Sequence, residues 1–178
     1  PAQDNNPPTL DEDAPVLSSE TSFGTTAWSL TGAIFAAVVL LAVGWPVVAV
    51  VYSLNAAVAM VWTTLHCAAI VGTLRWSWVS LSVSIIASGA LMLMTAGADV
   101  SVWPWPVTVL LTQCAVLIVA GLARPWYYAV SAWCAGVVLT IIAVVVKAPE
   151  LATGALSNSI VFTGVSGAVV ASASLSRM

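Results

Sequence analysis

Across 178 residues, 61% are hydrophobic and only 6% are charged, with a mean hydropathy of +1.05. Soluble domains carry about 25% charged residues, so a water-soluble fold is excluded. The formal net charge of −3 is concentrated at one end, because five of the seven acids, Asp4, Asp11, Glu12, Asp13 and Glu20, fall in the first 20 residues. No cation accompanies them, and the absence of any basic patch excludes nucleic acid as a partner.

Residues 1–22 form an acidic tail that holds Pro7, Pro8 and Pro15. Low hydrophobicity and charge of one sign predict disorder in isolation. Such a strap is ordered more readily by a partner than by its own chain, so the five acids are candidate partner-binding residues. The tail is not a basic stretch followed by an apolar core, so it does not read as a secretory signal. The missing initial Met is expected to reflect removal of the initiator before Pro1.

Residues 23–178 are expected to fold as an all-α transmembrane bundle of six spans. A hydrocarbon core about 30 Å thick takes roughly 20 apolar residues of helix. Residues 27–74 are too long for one span and divide at one of two places. Gly44-Trp45-Pro46 offers a helix stop followed by a first-turn proline. Ser53-Leu54-Asn55 is the alternative, which leaves Pro46 inside the first helix. The third span covers about residues 76–95, and a loop at 96–102 carries Asp99. Trp103-Pro104-Trp105-Pro106 opens the fourth, which runs to about residue 122, and Arg124-Pro125 breaks the chain. The fifth covers about 126–146, a polar loop follows at 147–154, and the sixth covers about 157–174. Trp28, Trp76, Trp103, Trp105, Trp126 and Tyr127 lie near span ends, as an interfacial aromatic belt requires.

Three of the four cations, Arg75, Arg124 and Arg177, each end an apolar run. Counting spans puts them on one face together with the tail, and retention of Lys and Arg on the cytoplasmic side makes that face internal. Lys147, Asp99 and Glu150 fall on the other. The expected location is therefore the inner, or plasma, membrane, crossed several times with both ends inside.

Ser80, Ser84 and Ser88 recur every four residues on the third span, one heptad after Ser77 in the case of Ser84. They share one helix face, and small hydroxyl residues in lipid mark close helix packing. The alternative for this stripe is a polar pathway. Gly164, Ala168 and Ser172 on the sixth span form a similar ladder, as do Gly32 and Ala36 on the first, and both are expected to be internal seams. His66, the only histidine, sits mid-span. One His cannot build a zinc or a doubly ligated haem site, and with no acid in any span it reads as hydrogen-bonded to a hydroxyl or carbonyl rather than as a proton relay. Gln113 and Asn55 read as glue between helices. Cys67, Cys114 and Cys134 are odd in number and form no C-x-x-C pair, so they read as small hydrophobes. No metal, cofactor or catalytic residue is expected.

Gly164-Val165-Ser166-Gly167 resembles the nucleophile motif of rhomboid intramembrane proteases. That chemistry needs a histidine to take the serine proton, placed in that family on a later span, whereas His66 precedes Ser166. The Ala/Val/Leu/Trp-rich background with Arg124-Pro125 between spans resembles the membrane modules of actinobacterial sensor histidine kinases. The resemblance implies a kinase half after the last span, and this chain is expected to lack one because it stops at Met178. Small polytopic accessory subunits of actinobacterial respiratory supercomplexes are similar in kind. The leading expectation is a non-enzymatic accessory subunit of a larger bacterial membrane complex, with other integral membrane subunits and lipid as partners. A sensor or small-ligand module and a small transporter or channel are the alternatives.

The orientation is open to labelling. In a chain whose native cysteines are replaced, Asp99→Cys and Ala148→Cys are expected to react with an impermeant thiol reagent from outside. Leu10→Cys should react only after permeabilisation, and the reverse pattern would invert the topology.

Overall fold

A computed structural model describes residues 18–96, 103–147 and 152–176. They form α1 (Ser18–Val51), α2 (Ala56–Gly72), α3 (Ser77–Thr95), α4 (Val107–Ala123), α5 (Trp126–Lys147) and α6 (Ala152–Leu175). The expected all-α bundle is what these segments build, with no strand among the described residues. Four stretches, Ser29–Val51, Ser77–Thr95, Trp126–Val146 and Ala155–Leu175, are long and apolar enough to cross a membrane. By length and composition they mark a membrane protein. The two remaining helices, α2 and α4, have 17 residues each, a reach of roughly 25 Å at 1.5 Å per residue.

The first long apolar stretch divides at Ser53–Asn55, leaving Pro46 inside α1. Two local features make that break. Ser53 takes φ of 53°, which no helix can continue. The Asn55 side chain then accepts from the backbone N–H groups of Ala57 at 3.0 Å and Val58 at 3.4 Å, capping α2. Asn55 is thus a helix cap rather than glue between helices. Gly44 does not end a helix. It is buried where a Cβ would lie 3.1 Å from Thr63 Cγ2 and 3.8 Å from Thr108 Cβ, so it lets α1 approach α2 and α4 closely.

Two apolar clusters define the ends of the bundle. Ala33, Ile70, Leu81, Ala120, Ala129 and Val170 gather the middle of α1, the end of α2, the start of α3, the end of α4, the start of α5 and the end of α6. Val48, Ala59, Leu91, Val109, Ala143 and Ala155 gather the six opposite ends. Successive helices therefore alternate in direction. Arg75 and Arg124 sit at the first end together, since Arg124 donates from its guanidinium to the carbonyls of Thr73 and Leu74 just past α2. A cation on orphan helix C-terminal carbonyls is the arrangement the helix dipole favours. Arg177, Asp99 and Glu150 lie outside the described residues, as do Asp4, Asp11, Glu12, Asp13 and the side chain of Glu20. The backbone of α1 begins at Ser18, inside the stretch expected as tail.

Helix α4 is the axis. It packs against each of the other five, and α1, α2, α3, α5 and α6 surround it in that order, each touching the next. The ring stays open because α1 and α6 are not packed side by side. Around the outside, Phe35, Val50, Val79, Ile86, Val145 and Ile160 are exposed, an apolar girdle suited to hydrocarbon.

The aromatic belt is only partly outside. Trp76 is 66% exposed, and Trp126 and Tyr127 are also open. Trp103 and Trp105 instead turn inward, with Trp105 0% exposed. Trp105 stacks on Phe162 of α6 with centroids 3.8 Å apart and donates from Nε1 to Thr140 Oγ1 of α5 at 2.9 Å. Its carbonyl accepts from Asn158 Nδ2 at 3.2 Å, and Trp103 Nε1 donates to the Met92 carbonyl at 3.0 Å. Non-helical backbone at membrane depth is tolerated only when protein surrounds it. Burial of both indoles meets that condition and extends the short α4.

The seam between α4 and α6 can be tested by adding one methyl group. At Gly121 a Cβ would lie 2.7 Å from Ala173 Cβ, whereas at Gly164 it would meet nothing within 4 Å. Gly121→Ala is expected to destabilise the bundle by about 1–3 kcal/mol through overpacking. Gly164→Ala should stay within about 0.5 kcal/mol of the parent. Unfolding in mixed micelles read by tryptophan fluorescence separates the two.

Candidate functional site: a buried His–Gln–Ser cluster

Between the two apolar ends, polar side chains of α2, α3 and α4 converge. Ser77, Ser80, Ser84, Ser88 and Thr95 of α3 are all buried, so the serine stripe faces inward. His66 of α2 and Gln113 of α4 are buried against it, Gln113 with 0% exposure. The position on each helix explains the meeting. α2 and α4 run in the same direction, and α3 runs antiparallel between them at mid-bundle.

One oxygen organises the cluster. Gln113 Oε1 accepts from Ser84 Oγ at 2.8 Å and lies 3.1 Å from His66 Nε2. Ser88 Oγ donates to the Ser84 carbonyl at 2.8 Å and sits 3.2 Å from the same His66 nitrogen. Since Ser88 has committed its proton and the Gln113 oxygen can only accept, this network assigns the ring proton to Nε2. His66 therefore donates to Gln113, which matches the expected hydrogen bond to a carbonyl. Gln113 acts as glue between α2, α3 and α4.

Level with His66 and Gln113, Cys67 lies against Thr112, and nearer the Trp105 end Thr63 and Thr108 flank Gly44 of α1. Thr112 donates from Oγ1 to the Thr108 carbonyl at 2.8 Å. Toward the arginine end Ser77 donates to the Thr73 carbonyl at 3.0 Å, which also accepts from Arg124 Nε at 3.4 Å. Three buried polar atoms, Gln113 Nε2 in the cluster and Thr63 Oγ1 and Thr108 Oγ1 beside Gly44 of α1, find no partner among the described residues.

The small-residue ladder of α6 lies elsewhere. Gly164, Ala168 and Ser172 are exposed, and the face of α6 that packs inward is Ala155, Phe162, Ser166, Val170 and Ala173. Gly32 is exposed on α1, with Ala36 half-buried. These ladders are outward surfaces, not internal seams, because the bulk of Phe162 and Val170 sits where α6 meets α4 and α5. Small-residue spacing points to the wrong face of α6, because both of its faces are small or apolar.

Ser166 is turned away from His66. Its hydroxyl donates to the Phe162 carbonyl of its own helix and accepts from Trp133 Nε1 at 3.1 Å. Cys67 and Cys114 are buried and Cys134 is exposed. Among the described residues no group of His, Cys, Asp and Glu could hold a metal ion. Compared with protein-family models, curated proteins and solved structures, the chain matches none.

The cluster's worth is measurable by a double-mutant cycle. Interhelical hydrogen bonds within membranes average about 0.6 kcal/mol and reach about 1.7. Ser84→Ala and Gln113→Leu are each expected to destabilise, with a coupling energy inside that range in mixed-micelle unfolding. A coupling of zero would mean that the oxygen does not organise the site.

Proposed function

We propose that this chain is a multi-pass protein of the bacterial inner membrane that crosses six times with both ends on the Arg75 and Arg124 side. In this reading it serves as a non-catalytic subunit of a larger membrane complex. The alternation of helix directions and the shared end of the two arginines support the topology. Engagement of Ser166 by Trp133 and Phe162 supports a structural use of the one serine that a hydrolytic reading would need.

The observation that carries the subunit reading is the open side of the helix ring. There the central helix leaves Val107, Leu111, Ile118 and Leu122 uncovered, with Leu111 51% exposed. These residues recur at helical spacing on one narrow stripe. A central helix is the element a bundle covers first, so a partner's transmembrane helix is the natural occupant. The acidic tail adds a second attachment, to a basic cytoplasmic surface of the partner. Each exposed ion pair contributes no more than about 1 kcal/mol, so the tail assists the helix contact rather than replacing it.

Pull-down in mild detergent through a C-terminal tag, read by mass spectrometry, is expected to recover stoichiometric membrane partners. Leu111→Trp should fill the cleft and release them while the variant remains inserted and folded. Deleting residues 1–17 should weaken recovery, more so at high salt. A wild-type chain that purifies alone and monodisperse would overturn the proposal.

A further inference from the structure

Helices α3 and α5 both start at the arginine end, and two contacts join them. Near that end the rings of Trp78 and Tyr128 meet with centroids 4.6 Å apart. Deeper in the bundle, a Cβ on Gly89 would lie 3.1 Å from Leu139 Cδ1. Between these contacts lies an open groove of about 260 Å³, walled by Trp78, Ser82 and Ile86 of α3 and by Ser131 and Ala135 of α5. The small side chains of α5 leave it unfilled, while Trp78 and Ile86 on the α3 wall are exposed. From Trp78 to Ile86 it follows α3 for roughly 12 Å, so its section is about 20 Å², too narrow for a helix about 10 Å across. A single hydrocarbon chain fits that width.

The polar groups of the groove are donors that lack acceptors. Ser131 has committed its proton to the Tyr128 carbonyl at 3.0 Å. Trp78 Nε1 and Ser82 Oγ make no hydrogen bond among the described residues. Ser82 differs in this from Ser88 and Thr140, which donate to the carbonyl four residues earlier. Three residues before Trp78 stands Arg75, exposed, with its guanidinium carbon 6.0 Å from the Trp76 ring centroid. No carboxylate pairs with it among the described residues. Arg124, the other cation at this end, is already held by the carbonyls of Thr73 and Leu74. The order along α3 is therefore cation, indole N–H, hydroxyl and then apolar wall. A glycerophospholipid has the complementary order of phosphate, ester carbonyls and acyl chain.

We propose that the α3–α5 groove binds one anionic glycerophospholipid from the leaflet on the Arg75 side. Its phosphate sits against Arg75, its ester carbonyls accept from Trp78 Nε1 and Ser82 Oγ, and one acyl chain fills the groove down to the Gly89–Leu139 contact. Basic pockets between transmembrane helices recognise anionic headgroups in this way. Arg75 selects for net negative charge, because a zwitterionic headgroup brings its own cation to the phosphate. The groove lies across the helix ring from the uncovered stripe of α4, so a partner seated on that stripe leaves it open to lipid.

Native mass spectrometry tests this on the purified full chain in mild detergent, titrated with phosphatidylglycerol or with phosphatidylcholine of the same acyl chains. One phosphatidylglycerol is expected to be retained about fivefold more tightly than phosphatidylcholine, the preference that one basic residue near an anionic headgroup supplies. Arg75→Gln should bring the two lipids to parity, whereas Lys147→Gln at the far end of α5 should leave the preference intact. Ser82→Trp places bulk at an exposed position and should fill the groove, lowering retention of both lipids. Equal retention by the wild type, a preference that survives Arg75→Gln, or retention unchanged in Ser82→Trp would each overturn the site. A preference that appears only after residues 1–17 are deleted would overturn it too, by giving Arg75 to the acidic tail. None of these results bears on the subunit reading, which stands or falls on co-purification.

Discussion

Lipid offers no hydrogen bonds, so every polar side chain inside this bundle depends on another part of the same bundle. Gln113 shows the consequence most directly. Its carbonyl oxygen receives Ser84 of α3 and lies within hydrogen-bond reach of His66 of α2, while its own helix touches all five others. Moving Gln113 by one residue would break both contacts and leave three polar groups without partners. A single amide therefore holds three helices in register at the depth where apolar packing is least specific.

The two apolar clusters on either side depend on that register. One gathers small side chains, Ala33, Ala69, Ala120, Ala129 and Ala132, near the arginines. Helices approach closely there, and Arg124 can reach the carbonyls that end α2. The other is built around the large side chains Trp103, Trp105, Phe162 and Met92. Bulk at that end fills the space left where α2 and α4 are short, and the indole N–H groups close the hydrogen bonds that an irregular segment would leave open. The bundle is therefore tight at one end and plugged by aromatic rings at the other, with the polar seam running between.

An inside-out distribution of polarity follows, with hydroxyls, an amide and an imidazole within and Val, Ile and Phe outside. The uncovered stripe of α4 is apolar and faces lipid or a partner, whereas the polar face of the same helix looks toward α2 and α3. A partner seated on the stripe would press on the helix that carries Gln113.

Much of this architecture was legible in the amino-acid order. Hydrocarbon thickness and the cost of burying charge act on each segment by itself, so the apolar runs, the arginines that end them and the acidic tail could be read one at a time. The serine stripe was legible too, because its four-residue spacing puts it on one face whatever surrounds it. What tertiary structure decided was rotation and partnership. Helices that are apolar all round carry no amphipathic signal, so nothing in α6 said that Phe162 and Ser166 would turn inward and Gly164 and Ala168 outward. Trp103 and Trp105 have the composition of a membrane belt, and only the space above the short α4 drew them inside. The choice of Ser53–Asn55 over Gly44–Pro46 is marked by the left-handed φ of Ser53 and the Asn55 cap, while Gly44 stays inside α1 and packs against Thr63. In lipid the hydrophobic effect sets where a helix lies along the membrane normal, and packing against neighbours alone sets which way it faces.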